Sequence, residues 1–315
     1  MIRGEYMGNN ISGAKLLKII IFKFFTSEII GTIVNIFIPV VISIRCTDFT
    51  DDSRWWRTTF IMCVIIVVFN IISVIIRKIQ SDSQRYLNLI FKCYSDCSSI
   101  NSKGATSIFR LNKTIGKHIA NNKPVNKIVF DKIADFQTFA FTICESIQNM
   151  IRNEYGDDVK CEVTLMRKDG NNVKMIAYAN NEREMPASYT QTYNLNEVNY
   201  YFVNLFNDLN GKISCLPNKV MVNEKFKKIP GSEKREKDVC QYIGIPIRTN
   251  RNQIELLLQI DVSKEKVFGK GEANVLVFAK NILYPYATLL HKSYERDLIF
   301  NQYYDMITTV LSKKR

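Results

Sequence analysis

Residues Thr58 to Ile76 read TTFIMCVIIVVFNIISVII, 19 residues without a charge. As an α-helix they extend about 28 Å, close to the roughly 30 Å hydrocarbon thickness of a bilayer. A core helix of a soluble protein seldom runs so far without a polar face, so the stretch predicts a transmembrane span. Upstream, Ile29 to Ile44 gives 16 more uncharged residues, and extending back to Ile19 admits only Lys23 and Glu28. Two spans, about 19–44 and 58–76, therefore form a helical hairpin over residues 1–76. A cleaved leader fits less well, because 18 residues precede the apolar run and no small-x-small site follows it.

Charge sets the expected orientation. The chain carries 43 Lys+Arg against 30 Asp+Glu, a net +13. Residues 77–130 alone hold ten basic residues against Asp82 and Asp96, whereas the short loop Arg45–Arg57 is neutral. Positive charge on both outer flanks places both termini in the cytoplasm, with the hairpin in the inner (plasma) membrane. Trp55 and Trp56 suit the headgroup belt. Residues 77–125 read as a basic juxtamembrane connector, a helix pair of roughly Asp82–Ser98 and Ala105–Ala120 held to anionic lipid. No recognised motif interleaves those charges, so nucleic acid is not an expected partner.

Within the spans, Lys23, Glu28, Asn35 and Asn70 are the polar residues at membrane depth. Such groups are costly in lipid unless they face a bundle, pair across helices, or snorkel to the interface. Six of the eight cysteines (Cys93, Cys97, Cys144, Cys161, Cys215 and Cys240) would face a reducing cytosol, so no disulfide framework is expected. Cys93 and Cys97 share a helix face without a second ligand pair, and neither metal nor cofactor is expected.

Beyond residue 125 the pattern changes. Val129, Ile133, Phe136, Ala140, Ile143, Ile147 and Met150 alternate steps of four and three. This is a heptad stripe able to build a homodimer. Gly156 is its natural stop. VKCEVTLM (159–166) and VKMIAYA (173–179), joined by a turn at Asp169-Gly170, read as a β-hairpin. A helix-like stretch Val198–Leu209, a short strand ISCL (213–216) and a charged linker Lys225–Lys237 follow. CQYIGIPIR (240–248) and IELLLQIDV (254–262) make a second hairpin. A closing helix runs from Glu272 to about Leu298 with the stripe Val275, Ala279, Ile282, Tyr286, Leu289, and Pro285 should kink it.

YIGIPIR, the return strand IELLLQIDV and the run VFGKGEANVLVFAKNILYPYATLL (267–290) together resemble the GAF family, relatives of PAS sensor domains. The resemblance covers 126–296 and leaves 297–315 as a basic tail. It implies an α+β domain with an antiparallel sheet flanked by helices, behind the membrane hairpin. It also implies a sensor or dimerisation scaffold. The Asn-Lys-Phe-Asp-Glu signature of cyclic-nucleotide-binding members is not completed by Asn218, Lys219 and Phe226, and Cys215 lacks the surroundings of a bilin attachment site.

Catalytic constellations are not found. His118 and His291 fall in different segments, there is no phosphate loop or nucleophile elbow, and Gly156-Asp157-Asp158 fills a helix-to-strand turn. The expectation is a non-enzymatic, membrane-anchored sensor of a small ligand, a nucleotide among the candidates. Its output would pass to its own hairpin, in the layout of two-span antiphage effectors that disrupt the bilayer. The alternative is a receptor that dimerises and recruits a separate partner. Candidate ligand-binding residues are Lys174, Tyr178, Tyr200, Tyr201 and Tyr242, with Lys174 for an anion. Ile133, Phe136, Ala140, Ile143 and Ile147 are the expected dimer helix.

Overall fold

The computed structural model describes residues 23–46, 53–121, 135–182, 185–196, 200–208, 210–226, 238–249 and 253–313. The chain divides into two compact units, Met1–Leu87 and Asn88–Arg315.

In the first unit, α1 (Glu28–Thr32) passes through a π-helical turn, Ile33–Phe37, into α2 (Ile38–Cys46). Pro39 has no N–H to offer the Asn35 carbonyl, and the wider turn reroutes the ladder so that the Ile38 N–H reaches Ile33 O. Facing it is the start of α3 (Ser53–Ala120), a helix of 68 residues. Arg57–His118 of this helix is the one candidate among the described residues long and apolar enough to cross a membrane, beside a shorter apolar helix, Ile30–Ser43. The exterior of both is apolar: Phe37 and Phe60 are each 69% exposed and Val74 66%. The Asn70 amide donates to Asn35 Oδ1 at 2.6 Å and to Ile66 O at 2.9 Å, while Asn35 Nδ2 donates to Gly31 O at 3.0 Å. Phe25 packs on Phe69 with the rings tilted by 31° and 5.1 Å between centroids. Lys23 is exposed. Residues 19–22, the 47–52 part of the loop and the Glu28 side chain lie outside the described residues.

Where two connector helices were expected, α3 runs unbroken. Gly104 sits mid-helix, where glycine is usually disfavoured, with Arg296 packed beside it: an added Cβ would lie 3.2 Å from Arg296 Nη1. In the second unit the buried side of α3 is Leu89, Cys93 and Ile100.

Helix α4 (Phe136–Tyr155) is capped by Asp135, whose Oδ1 accepts from the Gln137 N–H at 3.0 Å. It ends at Gly156, whose φ of 92° suits glycine. The hairpin β1 (Cys161–Asp169) and β2 (Asn172–Ala179) turns through Gly170 at φ 60°. Then come β3 (Thr192–Asn194), α5 (Tyr201–Asn207), β4 (Ser214–Leu216), α6 (Lys219–Lys225), β5 (Gln241–Arg248) and β6 (Ile254–Val262). The sheet order is β3-β2-β1-β6-β5-β4, antiparallel throughout. Helix α7 (Gly271–Phe278), a π-helical turn Ala279–Leu283 and α8 (Tyr284–Lys313) close the chain. At Pro285 the expected kink takes the form of that π turn, in which the Tyr284 N–H bonds to Ala279 O.

One sheet face packs on α4 and α8, the other on α5 and α6. The stripe Phe136, Ala140, Ile143 and Ile147 is buried against the chain's own sheet, with the last three fully enclosed. This corrects the expectation of a dimer helix: the stripe is the domain's own core layer, because the first and last helices need the apolar sheet face as cover. Ile133 lies outside the described residues.

Candidate functional site

The β1–β2 hairpin places Arg167 directly opposite Lys174. Like charges in register on neighbouring strands repel. Lys174 Nζ is partly compensated by Asp169 Oδ2 at 2.7 Å, and that lysine holds the Asp169 carboxyl below the usual carboxylate range. The Arg167 guanidinium makes no hydrogen bond or ion pair among the described residues. Both cations line a cleft of about 500 Å³ with Asp135, Gln137, Tyr189, Asp297 and Asn301. Asp135 is held as the α4 cap, Gln137 Nε2 donates to Tyr189 OH at 3.0 Å, and Asn301 lies 3.4 Å from Asp297. The walls therefore offer two cations, the carboxylates of Asp135 and Asp297, two amides and a phenol. A cleft of this size suits a metabolite of nucleotide scale or smaller.

On the α5/α6 face, Tyr242 OH donates to Gln259 Oε1 at 2.9 Å, and Gln259 Nε2 donates to Thr164 Oγ1 at 3.2 Å. Strand alternation puts Glu162, Thr164, Gln259 and Tyr242 on this one face. Burial pushes the Tyr242 hydroxyl well above its ordinary value. The ring of Tyr242 is edge-on to Tyr201 at 5.7 Å and to Phe226 at 4.9 Å, and Tyr201 hydrogen-bonds Ser214. Tyr200 stacks on Phe202 at 5.8 Å.

The five candidate ligand residues are thus divided. Tyr200, Tyr201 and Tyr242 belong to the aromatic core layer under α5 and α6. Tyr178 is edge-on to Phe141 of α4, at 5.4 Å, and to Tyr189, at 5.1 Å. Only Lys174 lines the cleft, and Arg167 and Tyr189 are the partners that the sequence reading missed. The like-charged pair across Gly170-Asn171 was the available signal.

Other reactive groups are engaged. Cys93 Sγ donates to Ile282 O at 3.0 Å, and its thiol is pushed up by its bond to Cys97 and by burial. Tyr286 OH donates to Asp96 Oδ2 at 3.2 Å, and Lys92 pairs with Asp96 at 3.0 Å. Asp157 pairs with Arg152 at 2.5 Å and Asp158 with Lys264, so the acidic turn after α4 is occupied by ion pairs. His291 lies 3.1 Å from Glu295. Among the described residues no group of three His, Cys, Asp or Glu side chains is placed to hold a metal ion.

No family model matches the chain, and no curated protein matches it. In fold it is similar to GAF domains. One is the phycoerythrobilin-bound GAF domain from a cyanobacterial phytochrome, 10% identical over 65% of this chain and 96% of that one, with a TM-score of 0.39. It is also similar to a methyl-accepting chemotaxis protein, 12% identical over 53% of this chain and 92% of that one, with a TM-score of 0.39. A third is the type II free methionine-R-sulfoxide reductase from Thermoplasma acidophilum, 15% identical over 50% of this chain and 95% of that one, with a TM-score of 0.33.

Proposed function

We infer that the protein is a membrane-anchored sensor. Its GAF-like domain takes a small anionic ligand in the Arg167–Lys174 cleft, and its output passes through α3 to an N-terminal transmembrane hairpin. The observation that carries this reading is the continuity of α3. One helix supplies the exposed apolar surface around Phe60 and Val74 and also the domain's buried Leu89, Cys93 and Ile100. The cleft supplies the ligand chemistry, since an anion between Arg167 and Lys174 offsets the repulsion of the opposed cations. In this reading the hairpin crosses the inner membrane with both termini cytoplasmic. A rearrangement of its helices disturbs the bilayer, the output of antiphage effectors with the same layout. A receptor that recruits a partner is the second reading. Exposed aromatic residues on α3, Phe91 at 71% and Phe109 at 70%, favour it.

Two measurements on the full chain test this. Alkaline carbonate washing of membranes should leave the protein in the pellet, and release into the supernatant would overturn the anchor. In detergent, adenosine monophosphate and inorganic phosphate should raise the thermal midpoint of the wild type and leave Arg167→Ala unmoved. A shift that survives Arg167→Ala would remove the cleft from the reading.

A further inference from the structure

Bilayer hydrocarbon offers no water to satisfy a polar group, so each amide at that depth must find protein partners. Asn70 lies six residues before the end of the uncharged run, about 9 Å inside a helix that rises 1.5 Å per residue. It is joined to Asn35 at the surface of the first unit. A carboxamide has two N–H donors and an oxygen with two lone pairs. Both Asn70 hydrogens are used, one on Asn35 Oδ1 and one on Ile66 O, and one Asn35 hydrogen is used on Gly31 O. One Asn35 donor and the Asn70 carbonyl oxygen are left, with no partner among the described residues.

That remainder is self-complementary. A second copy inserted the same way around brings its own free donor and free acceptor at the same depth. A two-fold axis along the membrane normal satisfies both pairs at once, Asn35 of each copy donating to Asn70 of the other. Exposed apolar residues flank the amides on the same helix face as Asn70, with Val67 57% and Val74 66% exposed, so the surface around the pair can pack against another helix. We propose that two copies of the hairpin associate in the bilayer through reciprocal Asn35–Asn70 hydrogen bonds. The proposal rests on the transmembrane reading of residues 19–76. It moves self-association from the helix α4 stripe, which is buried in the chain's own core, to the hairpin.

The test is resonance energy transfer between donor- and acceptor-labelled full chains in phosphatidylcholine vesicles. Wild type should associate at a low protein-to-lipid ratio. Asn35→Leu and Asn70→Leu should each lose both bonds between copies and raise the dissociation constant roughly tenfold. Mixing the two variants is the decisive arm. Asn35→Leu retains the acceptor and Asn70→Leu retains the donor, so the mixed pair regains one bond and transfers energy better than either variant alone. Because both variants lack the bond within the chain, a merely structural role predicts no recovery on mixing. Association of both variants at the wild-type level, or a mixture no better than its parts, overturns the proposal. If the wild type fails to incorporate into vesicles, the transmembrane reading fails first and the proposal falls with it.

Discussion

The polar line Tyr242–Gln259–Thr164 gives a stability prediction that can be worked out from its hydrogen bonds. Tyr242→Phe removes one hydroxyl from a fully buried position and leaves Gln259 Oε1 without the donor it has at 2.9 Å. A net intramolecular hydrogen bond contributes about 1 kcal/mol, and an orphaned buried acceptor costs about 1–3 kcal/mol. The single variant should therefore lose about 2 kcal/mol. For a unit of roughly 230 residues each kcal/mol moves the midpoint by about 2–4 °C, so the expected fall is about 4–8 °C. Replacing the whole line by apolar groups of similar size (Tyr242→Phe with Gln259→Met and Thr164→Val) leaves no orphan and should recover to within about 1 kcal/mol of wild type. The assay is thermal unfolding of the full chain in detergent, followed by near-ultraviolet circular dichroism, where the tyrosine layer reports directly. A single variant that costs under about 0.5 kcal/mol, or a triple variant less stable than the single, would refute this accounting.

Three further outcomes follow from packing and titration. Gly244→Ala places a Cβ 2.7 Å from Tyr242 Oη and 2.8 Å from Leu205 Cδ1; overpacking of that kind should cost about 1–3 kcal/mol in the same melt. Lys264 holds the Asp158 carboxyl below the usual carboxylate range. The pair thus contributes stability above about pH 4 and loses it as the pH falls through the lowered value. Asp158→Asn should flatten the acid limb of the stability profile, as should high salt in the wild type, and superimposable acid limbs would contradict the assignment. Burial raises the Cys215 thiol to about 11. At pH 8 its thiolate fraction is about one in a thousand, so iodoacetamide should leave Cys215 unmodified in the folded chain, read by peptide mass.

Both hairpins were legible because alternation and turn chemistry are local. The pair 159–166 and 173–179 predicts β1 and β2 to within a few residues, and Asp169-Gly170 marks the turn where Gly170 takes positive φ. The unbroken α3 was not legible: the stretch around Gly104 looks like a break until Arg296 is brought beside it, 192 residues later. Nor was the adjacency of β1 and β6, whose pairing of Cys161 with Val262 closes a loop of about a hundred residues. The α4 stripe was read with the right period and the wrong neighbour, since apolar spacing says which side of a helix is covered but not by what. The candidate ligand residues are divided by the fold. Tyrosines attract attention as binding groups, yet Tyr200, Tyr201 and Tyr242 fill a core layer, while Arg167 looks like any charged residue near a strand end.

A π turn holds one residue more than the α turn it replaces, and in the closing helix that turn is Ala279–Leu283, where Ala279, Ile282 and Leu283 are all buried. Deleting a single residue from Ala279–Leu283 together with Pro285→Ala should let the segment rewind as plain α-helix with both flanks still in phase. The same deletion in α4, which has no slack of this sort, would rotate half its side chains away from the sheet. The length of the closing helix is therefore adjustable at one place along its axis, and that place is where the Cys93 thiol is docked.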